Sequence, residues 1–332
     1  MNIYNDYLST IKSAMSADNE QKRNFSNLSG QDELIKGNTI SNYLNESKNT
    51  KPLPSLLQFA NEFGLKTNYN QSLGSHPDFS HLKHSGKIEK HYVVSMFIDI
   101  KGSTNLFKRY SPETVFIITN TIQRAAIHTG LIFNGYIQRL HGDGLFVYFG
   151  GKDCTKNQAA KNALQAASVF SYFIKNDLKK LFNEQGVETI FTRIGVDLGE
   201  NKDVVWAMAG IGEISEVTTC SLHTSLACKM QSNAENNGVV VGDNVKNNTD
   251  IPFYSPVCNR TNNESDRYIF RNSEDNFNYT QYDFNWIQYL KQQDFVATDL
   301  NGNLSIKRKL AITDRIPQDI IPIASQNKPY FK

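Results

Sequence analysis

The chain has 332 residues, with 35 Lys and Arg against 33 Asp and Glu, a formal net charge of +2. That balance offers no argument for a nucleic-acid or membrane partner, and 39% hydrophobic with 20% charged residues describes a globular protein of one large or two modest domains. The four cysteines, Cys154, Cys220, Cys228 and Cys258, have no C-x-x-C spacing, which argues against a zinc site or a disulfide framework. The N-terminus has no basic start followed by an apolar run, and no stretch nears the ~18 apolar residues of a membrane span. A soluble, cytoplasmic protein is expected.

Residues 1–90 are polar and rich in Asn, Ser and Lys. Short helices are predicted over 3–15 and 54–63. Residues 71–89 have loop composition and read as a linker. His76, His81, His84 and His91 fall close together there, but their spacing fits no usual zinc pattern, so exposed loop histidines are expected. From Tyr92 the texture changes. A strand is predicted over 92–100, ending at Asp99, and Gly102-Ser103-Thr104 then opens a helix-like 105–110. A small-residue turn opening a helix aims free backbone N–H groups outward and suits a phosphate.

A helix follows over 111–128, with Ser111 as N-cap, Pro112 at its first position and Gly130 closing it. Strand-like runs at 131–137 and 145–149 flank the turn Gly142-Asp143-Gly144, giving a tight hairpin. Taken alone, an Asp-Gly turn is ordinary turn chemistry. If the hairpin pairs beside 92–100, however, Asp99 and Asp143 point at one spot. Two close carboxylates repel and lose solvation, so a cation belongs between them, and hard oxygen ligands suit Mg²⁺ or Mn²⁺.

A long helix is predicted over 156–183, with Ala160, Ala163, Leu164, Ala167, Phe170 and Ile174 at helical spacing and Gly186 beyond its end. Strands at 189–197 and 204–210, a helix at 221–235 and a strand at 238–242 complete the region. The order βαββαββαβ predicts an α+β fold, a ferredoxin-like core with a mostly antiparallel sheet and its helices on one face. Two-metal polymerase palms share that core, so the fold does not decide function. Beyond 246 the chain is turn-rich, then clusters aromatics at 277–284 with Trp286 and Tyr289 on a short helix, read as packing. The expected divisions are 1–90, an N-terminal helical extension and linker; 91–250, the core; and 251–332, a small C-terminal module.

The stretches FIDIKGST (97–104) and HGDGLFVYFGG (141–151) together are more specific than either alone. They resemble the marks of the class III nucleotidyl cyclases, over roughly residues 92–245. The resemblance implies two divalent ions, Mn²⁺ or Mg²⁺, held by Asp99, Asp143 and the main-chain oxygen of Ile100. Phe97 and the N–H groups of Lys101, Gly102, Ser103 and Thr104 would line the nucleotide and its phosphates. It also implies a homodimer with composite sites, in which one subunit gives the metals and the other the base-reading and transition-state residues.

Departures from the family bear on the substrate. The adenine-reading Lys position is Arg139 here. On the helix 222–230, Lys229 falls at the family's Arg position and Ser225 at its Asn position, and the purine-reading Asp falls on Thr218. Intact metal residues with altered purine readers resemble the pyrimidine cyclases of bacterial Pycsar anti-phage systems. By that likeness the substrate is CTP, with UTP as the alternative, and cyclic CMP would act on a separate cyclic-nucleotide-binding effector. Arg139 could donate to the O2 common to both pyrimidines, and His91 or Tyr92 could stack on the base or serve as packing. An atypical adenylate cyclase and a silent nucleotide-binding domain are the rival readings.

Overall fold

The computed structural model describes residues 2–24, 40–46, 48, 50–65, 69 and 71–306. Residues 25–39 of the expected N-terminal extension and 307–332 of the expected C-terminal module lie outside the described residues. Among the described residues the helices are α1 (Asn5–Asn24), α2 (40–46), α3 (Pro54–Glu62), α4 (Pro112–Ile132), α5 (Lys156–Tyr172), α6 (Lys179–Glu184), α7 (Leu222–Asn233), α8 (Asp243–Asn247), α9 (Val257–Thr261) and α10 (Trp286–Lys291).

The main sheet runs β10 (Tyr268–Asn272), β11 (Phe277–Phe284), β8 (Gly238–Gly242), β5 (Phe191–Gly199), β2 (Val93–Lys101), β4 (Gly144–Phe149) and β3 (Gly135–His141), with β9 (Tyr254–Pro256) also on β11. β5 and β8 are parallel, and the other neighbours are antiparallel. A three-stranded sheet of β1 (Ile88–Lys90), β6 (Val205–Ile211) and β7 (Ile214–Cys220) stands apart from it. β12 (Val296–Thr298) pairs with β13 (Leu304–Ile306). The strands and helices give the expected α+β core.

Strand alternation divides β2 between two environments. Val94, Met96, Ile98 and Ile100 enter one large apolar core with α1, α3, α4 and α5. Val93 and Phe97 face a second cluster holding Phe146, Tyr148, Val204, Trp206 and Val217, where Phe79 stacks on Trp206 at 4.0 Å. The long helices thus share one face, but α7 lies on the other. A Cβ on Gly195 of β5 would fall 2.1 Å from the Ala227 carbonyl, so the glycine is what lets α7 sit directly on the sheet.

Several local expectations are revised. Helix α4 has its Ser111 cap, which accepts from the Thr114 N–H, but it runs past Gly130 to Ile132. Asn134, at φ +59°, takes the left-handed position after its end. Gly130 lies within the helix against Ile137 and Val147. Strand β7 was missed because Ile214–Cys220 carries Glu216 and four Ser, Thr or Cys residues in place of an apolar alternation. His76 is buried, packed on Phe79, Tyr136 and Trp206, and burial pushes its pKa down to about 4. His81 and His84 are exposed as expected. Segment 71–89 therefore packs on the core: Phe79 and Leu82 are buried, and Gly74 bonds to both β3 and β7.

At the C-terminal end, β11 extends the main sheet beyond β8, and Trp286, Tyr289 and Leu290 of α10 join the large core. Among the described residues no helix is long and apolar enough to cross a membrane.

Candidate active site

The site forms where β2 ends. Asp99 is the one acidic residue of β2, two residues before its end, and the strand's other face is buried, so its side chain points away from the large core. Directly across the register stands Arg193 of β5, whose Nη2 donates to Asp99 Oδ2 at 2.6 Å and whose Nε donates at 3.2 Å. Both side chains are about a third exposed or less, 26% for Arg193 and 35% for Asp99. The cation expected beside the carboxylates is thus partly supplied by the chain itself. Arg193 was missed by the sequence reading, although it is the one charged residue between Phe191 and Val196 and strand pairing places it opposite Asp99.

The hairpin brings the second carboxylate. β3 and β4 close with His141 opposite Gly144, leaving Gly142 and Asp143 as a two-residue loop. Gly142 has φ +59° and Asp143 has no positive φ, the pattern of a type II′ turn with glycine first. Gly144 lies against β2 so closely that a Cβ there would sit 2.4 Å from the Ile98 carbonyl and 3.5 Å from Asp99 Cα. Any side chain at 144 would push the hairpin off β2, so the glycine sets Asp143 beside Asp99. Gln123 of α4 donates to the Gly142 and Gly144 carbonyls and fixes the loop from behind.

The third part is the turn after β2. Gly102 adopts φ +93° and caps a 3₁₀ segment, Ser103–Lys108, in place of the expected start at 105. Ser103 Oγ donates to Asp143 Oδ2 at 2.5 Å and ties the turn to the hairpin. Among the described residues, the remaining oxygen of each carboxylate, Oδ1, accepts no hydrogen bond. No three His, Cys, Asp or Glu side chains converge among the described residues. A cation here would rest on two carboxylates plus main-chain or substrate oxygens, an all-oxygen donor set that fits Mg²⁺ or Mn²⁺. Phe97, two residues before Asp99, is partly exposed and stacks on Phe146 at 4.1 Å.

The other expected site residues lie apart. Ser225 and Lys229 are exposed on α7, on the side turned from the packed Leu226, Ala227 and Met230. Arg139 forms an ion pair with Glu216 of β7. Thr218 Oγ1 lies 3.2 Å from the Tyr148 hydroxyl. Within the chain no hydrogen bond or ion pair joins these four to Asp99 or Asp143 among the described residues. Tyr92 is buried, its hydroxyl bonded to the Cys154 carbonyl, and His91 beside it bonds the Tyr92 carbonyl. Both sit just before the opposite end of β2, about 23–26 Å from Asp99 at strand rise, so neither stacks on a base held at Asp99 of the same chain.

No family model matches the chain. Among curated proteins it is 35% identical over 271 residues to a cytidylate cyclase of Staphylococcus aureus, covering 80% of this chain and 62% of that protein. It is 33% identical over 238 residues to a cytidylate cyclase of Escherichia coli, covering 69% of this chain and 51% of that protein. The chain thus spans between half and two thirds of the length of these relatives. Similar solved structures include the guanylyl cyclase Cya2, at 14% identity and TM-score 0.47, covering 67% of this chain and 99% of that one. Another is the adenylyl cyclase CyaB from P. aeruginosa, at 18% identity and TM-score 0.44, covering 60% of this chain and 95% of that one. Over 69 to 80% of its own length, then, the chain is a relative of proteins named cytidylate cyclase.

Proposed function

We propose that this chain is a pyrimidine nucleotidyl cyclase that converts CTP to 3′,5′-cyclic CMP and diphosphate. The observation that carries the reading is the convergence at one end of β2. Asp99, Asp143 and the Gly102–Thr104 turn meet there, in a chain related to cytidylate cyclases. In the reaction the ribose 3′-oxygen bonds to the α-phosphorus, the bond to the β-phosphate bridging oxygen breaks, and diphosphate leaves with the electron pair. Two Mg²⁺ or Mn²⁺ ions, held by Asp99, Asp143 and the Ile100 carbonyl, would acidify the 3′-hydroxyl and offset triphosphate charge.

The residues divide the remaining work. Ser103 keeps Asp143 aimed at the site, and Arg193 keeps the Asp99 carboxylate oriented while adding positive charge where the triphosphate lies. The N–H groups of Lys101 to Thr104 bind phosphate oxygens, and Phe97 lines the ribose side. Lys229, exposed and without an ion pair among the described residues, is free to reach a neighbouring subunit's triphosphate and stabilise charge on the phosphorane. That role makes the active form a homodimer with two composite sites, and Arg139, Thr218 and Ser225 belong to the same contributed half. By the likeness to Pycsar cyclases the product is a second messenger in anti-phage defence, made in the cytoplasm and read by a cyclic-nucleotide-binding effector.

Incubating the protein with each of the four nucleoside triphosphates and Mn²⁺, then weighing the products by mass spectrometry, tests the reading. Cyclic CMP with diphosphate is expected. Cyclic AMP alone would favour an atypical adenylate cyclase, and binding without diphosphate release would favour a silent nucleotide-binding domain.

A further inference from the structure

Arg139 and Glu216 form a built pair, not a loose surface contact. Arg139 Nε donates to Glu216 Oε2 at 3.3 Å, and Nη2 donates to Oε1. The strands carrying them are stitched together one residue away. Gly74 N–H donates to the Gln138 carbonyl, Val217 N–H donates to the Gly74 carbonyl, and Gln138 Nε2 donates to the Val217 carbonyl. Gly74, at φ +64°, approaches so closely that a Cβ there would lie 2.7 Å from Glu216 Cβ. An exposed Arg–Glu pair is worth about 0–1 kcal/mol, so stability alone gives little reason to order both side chains this way.

The pair opens onto a cleft of about 340 Å³, lined also by Ala209, Gly210, Ile214 and Ser215. That is at the small end of ligand pockets, about 300–1,000 Å³. Arg139 is 58% exposed and Glu216 21%, so both remain accessible to a ligand. The fork engages Glu216 through Nε and Nη2 only. Nη1 and part of the carboxylate's acceptor capacity are uncommitted. The cleft therefore presents donors beside an acceptor along one edge.

We propose that Glu216 is the residue that selects cytosine over uracil, a proposal that rests on the cyclase reading above. Cytosine presents an N4 amino donor beside the N3 and O2 acceptors. Glu216 accepts from the amino group while Arg139 donates to N3 or O2. Uracil presents O4 and N3–H in their place. Its O4 would face the carboxylate with no proton between them, and its N3–H would face the guanidinium. A site built around a hydrogen-bonding group rejects the analogue that leaves its polar atoms unpaired. Apart from Arg139, this uses none of the residues at the purine-reading positions, since Thr218 instead lies against Tyr148.

The test compares kcat/KM for CTP, UTP and the triphosphate of 2-pyrimidinone riboside, which lacks the 4-amino group, in wild type and in Glu216→Gln and Glu216→Ala. Wild type is expected to favour CTP at least tenfold over both others. Glu216→Ala should bring CTP and the 2-pyrimidinone analogue within threefold of each other, and Glu216→Gln should bring UTP close to CTP by offering an amide donor to O4. A merely structural role, holding Arg139 in place, would lower all three substrates together and keep the wild-type ratios. That result overturns the proposal while leaving the cyclase reading intact. If wild type cyclises no triphosphate, the cyclase reading falls. Calorimetric titration of wild type with CTP and with UTP then decides the pair by itself, and equal affinities overturn it.

Discussion

Arg193 faces Asp99 in register across β2 and β5, with the guanidinium and the carboxylate 2.6 Å apart. The pair is part-exposed, so its contribution to stability is about 1 kcal/mol or less. Its position at the mouth of the site predicts a larger effect on turnover. Arg193→Ala should lower kcat/KM at least tenfold, because a cation beside the triphosphate is lost, while the melting temperature falls by only a few degrees. Asp99→Ala should abolish turnover with an equally small thermal effect. Cyclic product and thermal melting measured on the same preparations check both; near-wild-type activity of Asp99→Ala would remove the metal assignment.

Asp143 sits on a two-residue loop whose geometry is set by Gly142 and Gly144, so its carboxylate contributes little to packing. Asp143→Ala is expected to fold and to make no cyclic product. Ser103→Ala removes one hydrogen bond to a charged acceptor, worth about 1.5–3 kcal/mol. A fall of roughly ten- to a hundredfold in kcat/KM is expected, and part of it should be recovered by raising Mn²⁺. A fall that no Mn²⁺ concentration changes would mean that Ser103 acts on the nucleotide alone.

Composite sites predict complementation. Asp99→Ala and Lys229→Ala each disable both sites of their own homodimer, while a mixed dimer retains one intact site. Random exchange makes half the dimers mixed, with one site of two, so about a quarter of wild-type activity is the ceiling. Absence of recovery after exchange is verified by mass spectrometry would place Lys229 outside the site.

The Asp197–His223 pair predicts a pH dependence of stability. Asp197 has no solvent exposure and takes bonds from His223 Nδ1 at 2.9 Å, the Tyr279 hydroxyl at 2.8 Å and the Leu198 N–H. Asn244, from α8, lies 3.4 Å from His223 Nε2. Burial lowers the His223 pKa, but the hydrogen bond and charge of Asp197, helped by Asp203 and Glu200, leave it raised. A raised folded pKa stabilises fully below the ordinary value of about 6.5 and less as pH rises through the folded value. The melting-temperature gap between wild type and His223→Asn should therefore be widest near pH 6 and narrow toward pH 9. A gap constant over that range would show that His223 is neutral when folded. His76 and His128 act in the acid range instead. Burial depresses both, to about 4 and about 3, so stability held above about pH 6.5 is lost as pH falls toward those values.

The periodic and punctuated parts of the chain were legible. Ser111-Pro112 announced α4, and the alanine-rich run announced the helix from Lys156. The Gly-Asp-Gly turn announced the hairpin that brings Asp143 to Asp99. What escaped depends on contacts distant in sequence. Arg193 meets Asp99 only through the β2–β5 register, and Glu216 lies on a polar strand that Gly74, distant in sequence, ties to β3 by main-chain hydrogen bonds. His76 has loop neighbours in the sequence and aromatic neighbours in space, which no local pattern announces.

The addition of β11 to β8 also bears on where this chain can be cut. Ending it near residue 250, as motif boundaries invite, would strip β8 of its antiparallel neighbour and leave a row of unpaired main-chain groups on an apolar Val239-Val240-Val241 strand. It would also remove Tyr279 from Asp197 and expose a carboxylate that is otherwise sealed. Such an edge is a template for strand addition by another molecule. A minimal catalytic fragment of this protein should thus be judged first by its light scattering, because its tendency will be to polymerise edge to edge.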